Sequence, residues 1–194
     1  MTNSSVNFKK YIQSSIDVKL KILNNPFLVD TLEKICLTCL ETYKLSGKVI
    51  LAGNGGSAAD AQHIAAEFVS RFNFDRPGLS ALSLSSDPSI VTAIGNDYGY
   101  ENLFSRQIEA NSKPGDVFIG ITTSGKSKNI INATKKCKAL SVKSIILTGE
   151  FNSELIDVSD IVFSVPSDST PLIQEAHIML GHMICAYVEN SLFG

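Results

Sequence analysis

No stretch of the chain reaches the ~18 uninterrupted apolar residues of a membrane span. The leading segment, Met1-Thr-Asn-Ser-Ser-Val-Asn-Phe-Lys-Lys10, has no apolar core of the kind a secretory signal needs. Charge is also sparse. Charged residues make up 19% of the 194, against roughly 25% in an average soluble domain, which points to uncharged surface covered by other subunits. Seventeen basic side chains against 19 acidic ones give a net charge of −2. Without a basic field, a nucleic-acid partner is not expected. Cysteine is limited to Cys36, Cys39, Cys137 and Cys185. The first two form Cys-Leu-Thr-Cys, in principle a redox pair or half a zinc site. The motif lies inside an apolar helical pattern, however, and no second pair completes a metal site. All four read as reduced residues, mostly core, of a cytoplasmic protein. Linkers, repeats and low-complexity segments are missing too, so residues 1–194 read as one domain.

What is present alternates. Residues 7–24 and 26–45 have helical periodicity, the second with Asn25 as N-cap, Pro26 at the first helical position and Gly47 at its end. Strands are expected at 48–52, 80–84, 117–121, 143–148 and 161–165. Helices are expected near 57–72, 101–111, 127–140 and 171–192. Val117-Phe-Ile-Gly-Ile121 and Ile145-Ile-Leu147 are continuous apolar runs, the mark of a parallel sheet covered on both faces. The fold class is α/β: a three-layer sandwich with a central five-stranded parallel sheet flanked by helices, preceded by a helical pair. The last helix is apolar nearly all round, so every side of it should be buried, against another subunit or inside the monomer.

Two loops follow strands. Gly53-Asn54-Gly55-Gly56-Ser57 leads from an apolar run into a helix, a geometry that presents backbone N–H groups to an anion. It lacks the Gly-x-Gly-x-x-Gly spacing of a dinucleotide loop. Thr122, Thr123, Ser124 and Ser127 give the second loop four hydroxyls around Gly125, suited to a phosphate monoester. Read literally, Gly120 to Ser127 matches a Walker loop. Gly120 falls within the strand, though, and the candidate strands end in Ser85, Thr148 and Pro166, with no carboxylate to help hold magnesium.

Histidine is rarer than cysteine: His63, His177 and His182 are the full set. His63 and Glu67 lie four apart on one helical face. Glu67 sits in the otherwise apolar Ile64-Ala-Ala-Glu-Phe-Val69, where a carboxylate partly withdrawn from water is suited to proton transfer. Gln174, His177 and His182 share the last helix. Gly181, beside His182, costs ~1 kcal/mol of helix stability and hints at close approach by another group. His63, Glu67, Gln174 and His182 together offer a donor set for zinc or a related ion, although His-x-x-x-Glu recurs in many helices with no metal. Asn96-Asp97 lies in a polar loop ahead of the helix at 101, either as an ordinary turn or as a hydroxyl-binding edge.

These residues resemble the single-domain sugar isomerase (SIS) family, at its heptose-phosphate isomerase branch. Gly53-Asn-Gly-Gly-Ser57, His63, Glu67, Arg76-Pro-Gly78, Gly95-Asn-Asp-Tyr-Gly99, Phe104-Ser-Arg106 and Gly115-Asp116 carry the resemblance. Thr123-Ser-Gly125 with Ser127, Leu147-Thr-Gly149 and Ile173-Gln-Glu-Ala-His177 with His182 complete it. It implies a homotetramer with active sites at subunit boundaries, in which residues 1–46 serve oligomerisation. It also implies interconversion of sedoheptulose 7-phosphate and glycero-manno-heptose 7-phosphate on the way to bacterial surface polysaccharide. Asn54, Gly55, Gly56, Ser57, Glu67, Asn96, Asp97, Thr122, Thr123, Ser124, Ser127 and Gln174 are then the substrate-binding set. Glu67 and His182 are the acid/base pair, and His63, Glu67, Gln174 and His182 hold Zn2+, with no nucleotide cofactor. The second loop is the better phosphate holder, which leaves residues 54–57 for the reacting end of the sugar. Thr122 and Lys126 depart from the Ser and Asn usual in that loop. The competing reading is a non-catalytic SIS adaptor that binds a replication initiator; a sugar-phosphate-sensing regulator is weaker, since no DNA-binding segment is attached.

Overall fold

The computed structural model describes residues 7–149 and 153–194. Most of the leading hydrophilic segment, residues 1–6, lies outside them. Two helices come first, α1 (Phe8–Leu23) and α2 (Pro26–Lys44), each opened by an asparagine whose side chain accepts a backbone N–H. Five strands follow: β1 (Val49–Gly53), β2 (Ala81–Ser83), β3 (Val117–Thr122), β4 (Lys143–Thr148) and β5 (Ile161–Ser164). They form one parallel sheet in the order β2-β1-β3-β4-β5. Between and after them run α3 (Gly56–Val69), α4 (Pro88–Tyr98), a 3-10 turn (Tyr100–Asn102), α5 (Leu103–Asn111), α6 (Lys128–Ala139), α7 (Ser153–Val158) and α8 (Thr170–Phe193).

The continuous apolar strands do what a doubly covered sheet requires. Val49 and Leu51, with Val117, Ile119 and Ile121, point into a core shared with α1, α2, α3 and α8. Ile50, Ala52, Phe118 and Ile146 point the other way, against α4 to α7. The expected three-layer sandwich is therefore present. Gly120 pairs with Ala52 and Ile146 inside β3. A Cβ there would meet Ile146 Cδ1 at 2.8 Å and Ile130 Cγ2 at 3.0 Å, so the glycine serves packing of α6 and starts no Walker turn.

Two helices depart from expectation. Residues 88–98 form α4, with Asp87 accepting from the N–H groups of Ser89 and Ile90 and Pro88 in the first turn. Asn96 and Asp97 therefore belong to its last turn and not to a loop. No residue of α4 is fully buried; its short apolar face, Val91 and Ile94, is partly buried against the core, and the Asp-Pro cap marks its start. The short α7 is the other.

α8 resolves the question of its apolar surround. Leu172, Ile173, Ala176, Leu180, Ile184, Cys185 and Val188 are buried within the monomer, while Met183 and Tyr187 remain 46% and 36% exposed. The four cysteines are free and buried. Burial pushes the Cys36 thiol up to about 11 and Cys137 up to about 12, so neither is a ready nucleophile. No helix among the described residues is long and apolar enough to cross a membrane.

Candidate active site

In a parallel sheet every strand delivers its C-terminal end to the same edge. The order 2-1-3-4-5 reverses winding between β1 and β3, and the crevice there is where such sheets take ligands. Asn54 follows β1 and Asn129 opens α6 after β3. Their side chains exchange two hydrogen bonds across the crevice, at 3.0 and 2.9 Å, and Tyr100 Oη donates to Asn54 Oδ1 at 2.9 Å. A cavity of about 310 Å³ opens beside them, lined by Asn54, Tyr100, Glu101, Ser127, Lys128 and Asn129. Gly55 takes φ 57°, ψ −122°, a backbone conformation that strains any L side chain, and so starts α3 without a capping side chain.

The hydroxyl loop has its own geometry. Thr122 and Ser127 join their hydroxyls at 3.0 Å, which leaves the N-terminus of α6 uncapped by Ser127. Ser124 Oγ accepts from Lys126 N at 3.2 Å, around Gly125 at φ 66°. Thr123, Ser124 and Lys126 line a cavity of about 210 Å³ with Ser167, Asp168, Thr170 and Ile173, where α8 begins. Two helix N-termini and Lys126 meet at this loop, a setting that favours an anion and is opposed by the one carboxylate in the lining, Asp168.

Chemistry is concentrated where α3 crosses α8. Gly181 lies so close to α3 that a Cβ would overlap the side chain of Ile64; the close approach hinted at by that glycine is made by α3. The crossing puts the neighbouring residues face to face. His63 Nε2 and His182 Nε2 are 3.3 Å apart. Glu67 Oε1 lies 3.0 Å from the first and 3.6 Å from the second. Glu67 is the withdrawn member, its side chain 15% exposed, while the two imidazoles are 54% and 42% exposed. Two lone pairs meeting at that distance repel unless a proton or a cation lies between them. Glu67 Oε2 is buried and has no oxygen or nitrogen partner among the described residues. For Zn–N bonds of about 2.0–2.1 Å a tetrahedral ion sets its ligands roughly 3.3 Å apart. The donor types and spacing therefore fit a divalent cation.

Gln174 is placed elsewhere, near the start of α8 and opposite the first turns of α3. Its carboxamide packs against Gly56 and donates to Asp60 Oδ1 at 3.5 Å. Burial raises the Asp60 carboxyl, opposed by the Gln174 hydrogen bond and by nearby His63. Asp60, Asn129 and Tyr100 escaped the sequence reading. Asp60 alone left a trace, one turn before His63 on the inner face of α3. His177 is fully buried, with its Nε2 3.2 Å from Thr148 O, and burial lowers its pKa to about 4. It supports the end of β4 and does not reach the His63–Glu67–His182 cluster. Asn96 donates to Asp97 Oδ1 at 2.7 Å, both on the exposed end of α4.

A doubly wound sheet carrying a hydroxyl loop, a glycine loop and a Glu–His–His cluster is the outline of a sugar-phosphate isomerase domain. The family model described as "SIS domain" matches residues 10–149. A phosphoheptose isomerase of Aneurinibacillus thermoaerophilus is 55% identical over 95% of this chain and 93% of that protein. Phosphoheptose isomerase 2 of Campylobacter jejuni is 53% identical over 100% and 96%. Among solved structures, phosphoheptose isomerase GmhA from Neisseria gonorrhoeae superposes with TM-score 0.87 at 37% identity, covering 94% of this chain and 96% of that one. A phosphoheptose isomerase from Francisella tularensis gives 0.89 at 33%, with the same coverage. The chain belongs to the SIS domain family, and within it groups with the phosphoheptose isomerases.

Proposed function

We propose that this protein is an aldose–ketose isomerase that interconverts sedoheptulose 7-phosphate and D-glycero-D-manno-heptose 7-phosphate through an enediol. The observation that carries the reading is the meeting of Glu67, His63 and His182 at the α3–α8 crossing, in a chain 55% identical to a phosphoheptose isomerase. Opening a ketose to an aldose moves a proton from C1 to C2 and shifts a hydroxyl proton in step. Glu67 takes the carbon proton, and His182 serves the oxygens or returns the proton. The loop of Thr122, Thr123, Ser124 and Ser127 holds the phosphate, with Lys126 adding positive charge. Gly55, Gly56 and Ser57 border the reacting end, and Asn54, fixed by Asn129 and Tyr100, shapes the crevice between. Asn96, Asp97 and Gln174 complete the polyol contacts.

His63, Glu67 and His182 would hold Zn2+; Gln174, whose carboxamide is engaged with Asp60, is left to the substrate and is not the ligand that the sequence led us to expect. When bound, the ion supplies Lewis-acid stabilisation to the enediolate oxygens. The fold also supports a homotetramer with sites at subunit boundaries. Phe8, Ile12, Ile16, Leu23 and Phe27 expose 75%, 59%, 44%, 69% and 70% of their surface along the N-terminal helices, a concentration of exposed apolar side chains that suits a subunit interface. We place the enzyme in the cytoplasm, at the first step of heptose synthesis for lipopolysaccharide or capsule. The test is incubation with sedoheptulose 7-phosphate, following product and its anomeric form. No conversion by the pure, folded protein would sink the reading.

A further inference from the structure

Glu189 is a carboxylate with no exposed surface on the last turns of α8, seven residues beyond His182. Its oxygens accept the backbone N–H groups of Phe72 at 2.8 Å, Asn73 at 2.6 Å and Phe74 at 3.3 Å, and Arg76 Nε at 3.0 Å. The Arg76 side chain is itself 2% exposed. Its other nitrogens reach back into α3: Nη2 donates to Glu67 O at 2.8 Å, and Nη1 to Phe68 O at 2.6 Å. Nη1 also meets Ser70 O and Pro77 O, at 3.2 and 3.0 Å.

α3 ends at Val69, so the carbonyls of Glu67 and Phe68 are among those with no partner inside the helix. A glycine or one side chain suffices to end most helices. Here two charges are withdrawn from water, an expensive arrangement that sets geometry more than it adds stability. The chain Glu67 O–Arg76–Glu189 runs from the backbone of the proposed base to the helix that carries its partner. We infer that Arg76 and Glu189 are a positioning pair for Glu67, holding the end of α3 in register with α8 so that the carboxylate stays opposite His182; this rests on the isomerase reading above. Only a planar fork can bond Glu189, Glu67 O and Phe68 O together.

Arg76→Lys keeps the charge beside Glu189 but gathers its three N–H donors on one nitrogen, which cannot span Glu189 and both carbonyls. Support lost behind a ligand or catalytic group costs about 10–100-fold, so kcat with sedoheptulose 7-phosphate is expected to fall at least ~10-fold. KM should stay within about threefold, since ground-state contacts are untouched. Zinc affinity, measured by competition with a chromogenic chelator, should fall in parallel. Glu189→Gln should move all three readouts in the same direction. An unchanged kcat and zinc affinity with only a lower unfolding temperature would overturn the proposal and leave a purely structural pair. In the wild-type protein, the amides of Phe72 and Asn73 should exchange with solvent as slowly as core amides; fast exchange would overturn it without any variant. If the wild-type protein does not turn over the sugar phosphate, the isomerase reading fails, and zinc affinity still judges the pair.

Discussion

Gly181 touches Ile64 across the α3–α8 crossing, and a Cβ at Gly181 would lie 2.6 Å from Ile64 Cγ1. That contact sets how closely the helices approach, and so how His63 meets His182. Gly181→Ala overpacks the crossing. It should destabilise by about 1–3 kcal/mol and lower the unfolding temperature by roughly 2–12 °C for a domain of this size. Thermal unfolding followed by circular dichroism checks this; an alanine variant as stable as wild type would show that the helices slide apart freely.

Glu67→Gln and His182→Ala should each abolish turnover of sedoheptulose 7-phosphate, with a loss of at least ~10²-fold from removing one positioned acid or base. Both side chains are partly open to solvent, so unfolding temperature and oligomeric size should stay near wild type. Near-normal turnover by either variant would show that the acid/base pair is misassigned.

Zinc should bind at one ion per chain, as counted by elemental analysis, and thorough chelation should depress activity. His63→Ala should weaken binding more than ~10-fold, the scale of losing even a supporting ligand contact. Full activity in a protein freed of metal would retire the ion from the reaction.

His177 makes stability depend on pH. Its pKa is lowered to about 4 in the fold by burial, against about 6.5 in an unfolded chain. Between those values the unfolded chain binds more protons, so stability rises with pH. The contribution is whole above about pH 6.5 and is lost as pH falls toward 4, amounting to roughly 3 kcal/mol at the acid end. Urea titrations across that window should have a steeper acid limb for wild type than for His177→Gln. Parallel limbs would remove His177 as the cause.

The exposed N-terminal stripe gives a further check. Ile12→Glu together with Ile16→Glu puts two charges on the apolar face of α1 without touching the core. Light scattering should report a smaller assembly than wild type. An unchanged mass would mean that the apolar face of α1 takes no part in self-association.

Much of this was legible before any coordinates. Val117-Phe-Ile-Gly-Ile121 announced a strand buried on both faces, and Pro26 after Asn25 announced where α2 starts. His63 and Glu67 could be paired from spacing alone, because four residues bring side chains together on any helix. What stayed hidden depended on distant partners. The meeting of Asn54 with Asn129 spans 75 residues, and no local pattern encodes it. Gly181 looked costly because Ile64, which explains it, lies on another helix. α4 is short, and its apolar contribution is only the partly buried Val91 and Ile94, so its signature is weak beside that of the longer helices. Arg76 and Glu189 are two ordinary charges in sequence and become a buried pair only when α8 docks.

The strand order has a consequence for how the protein is made. β1 pairs with β3, joining Val49 to Val117 across 68 residues, and the histidines of the site are 119 residues apart. Contacts between distant segments require closing long loops before anything is gained, and chains built on them fold slowly. α8 follows every other described element in the chain, and it carries one of the two imidazoles of the Glu–His–His cluster. A refolding chain should recover its helical signal first and its turnover later, with the interval set by docking of the C-terminal helix.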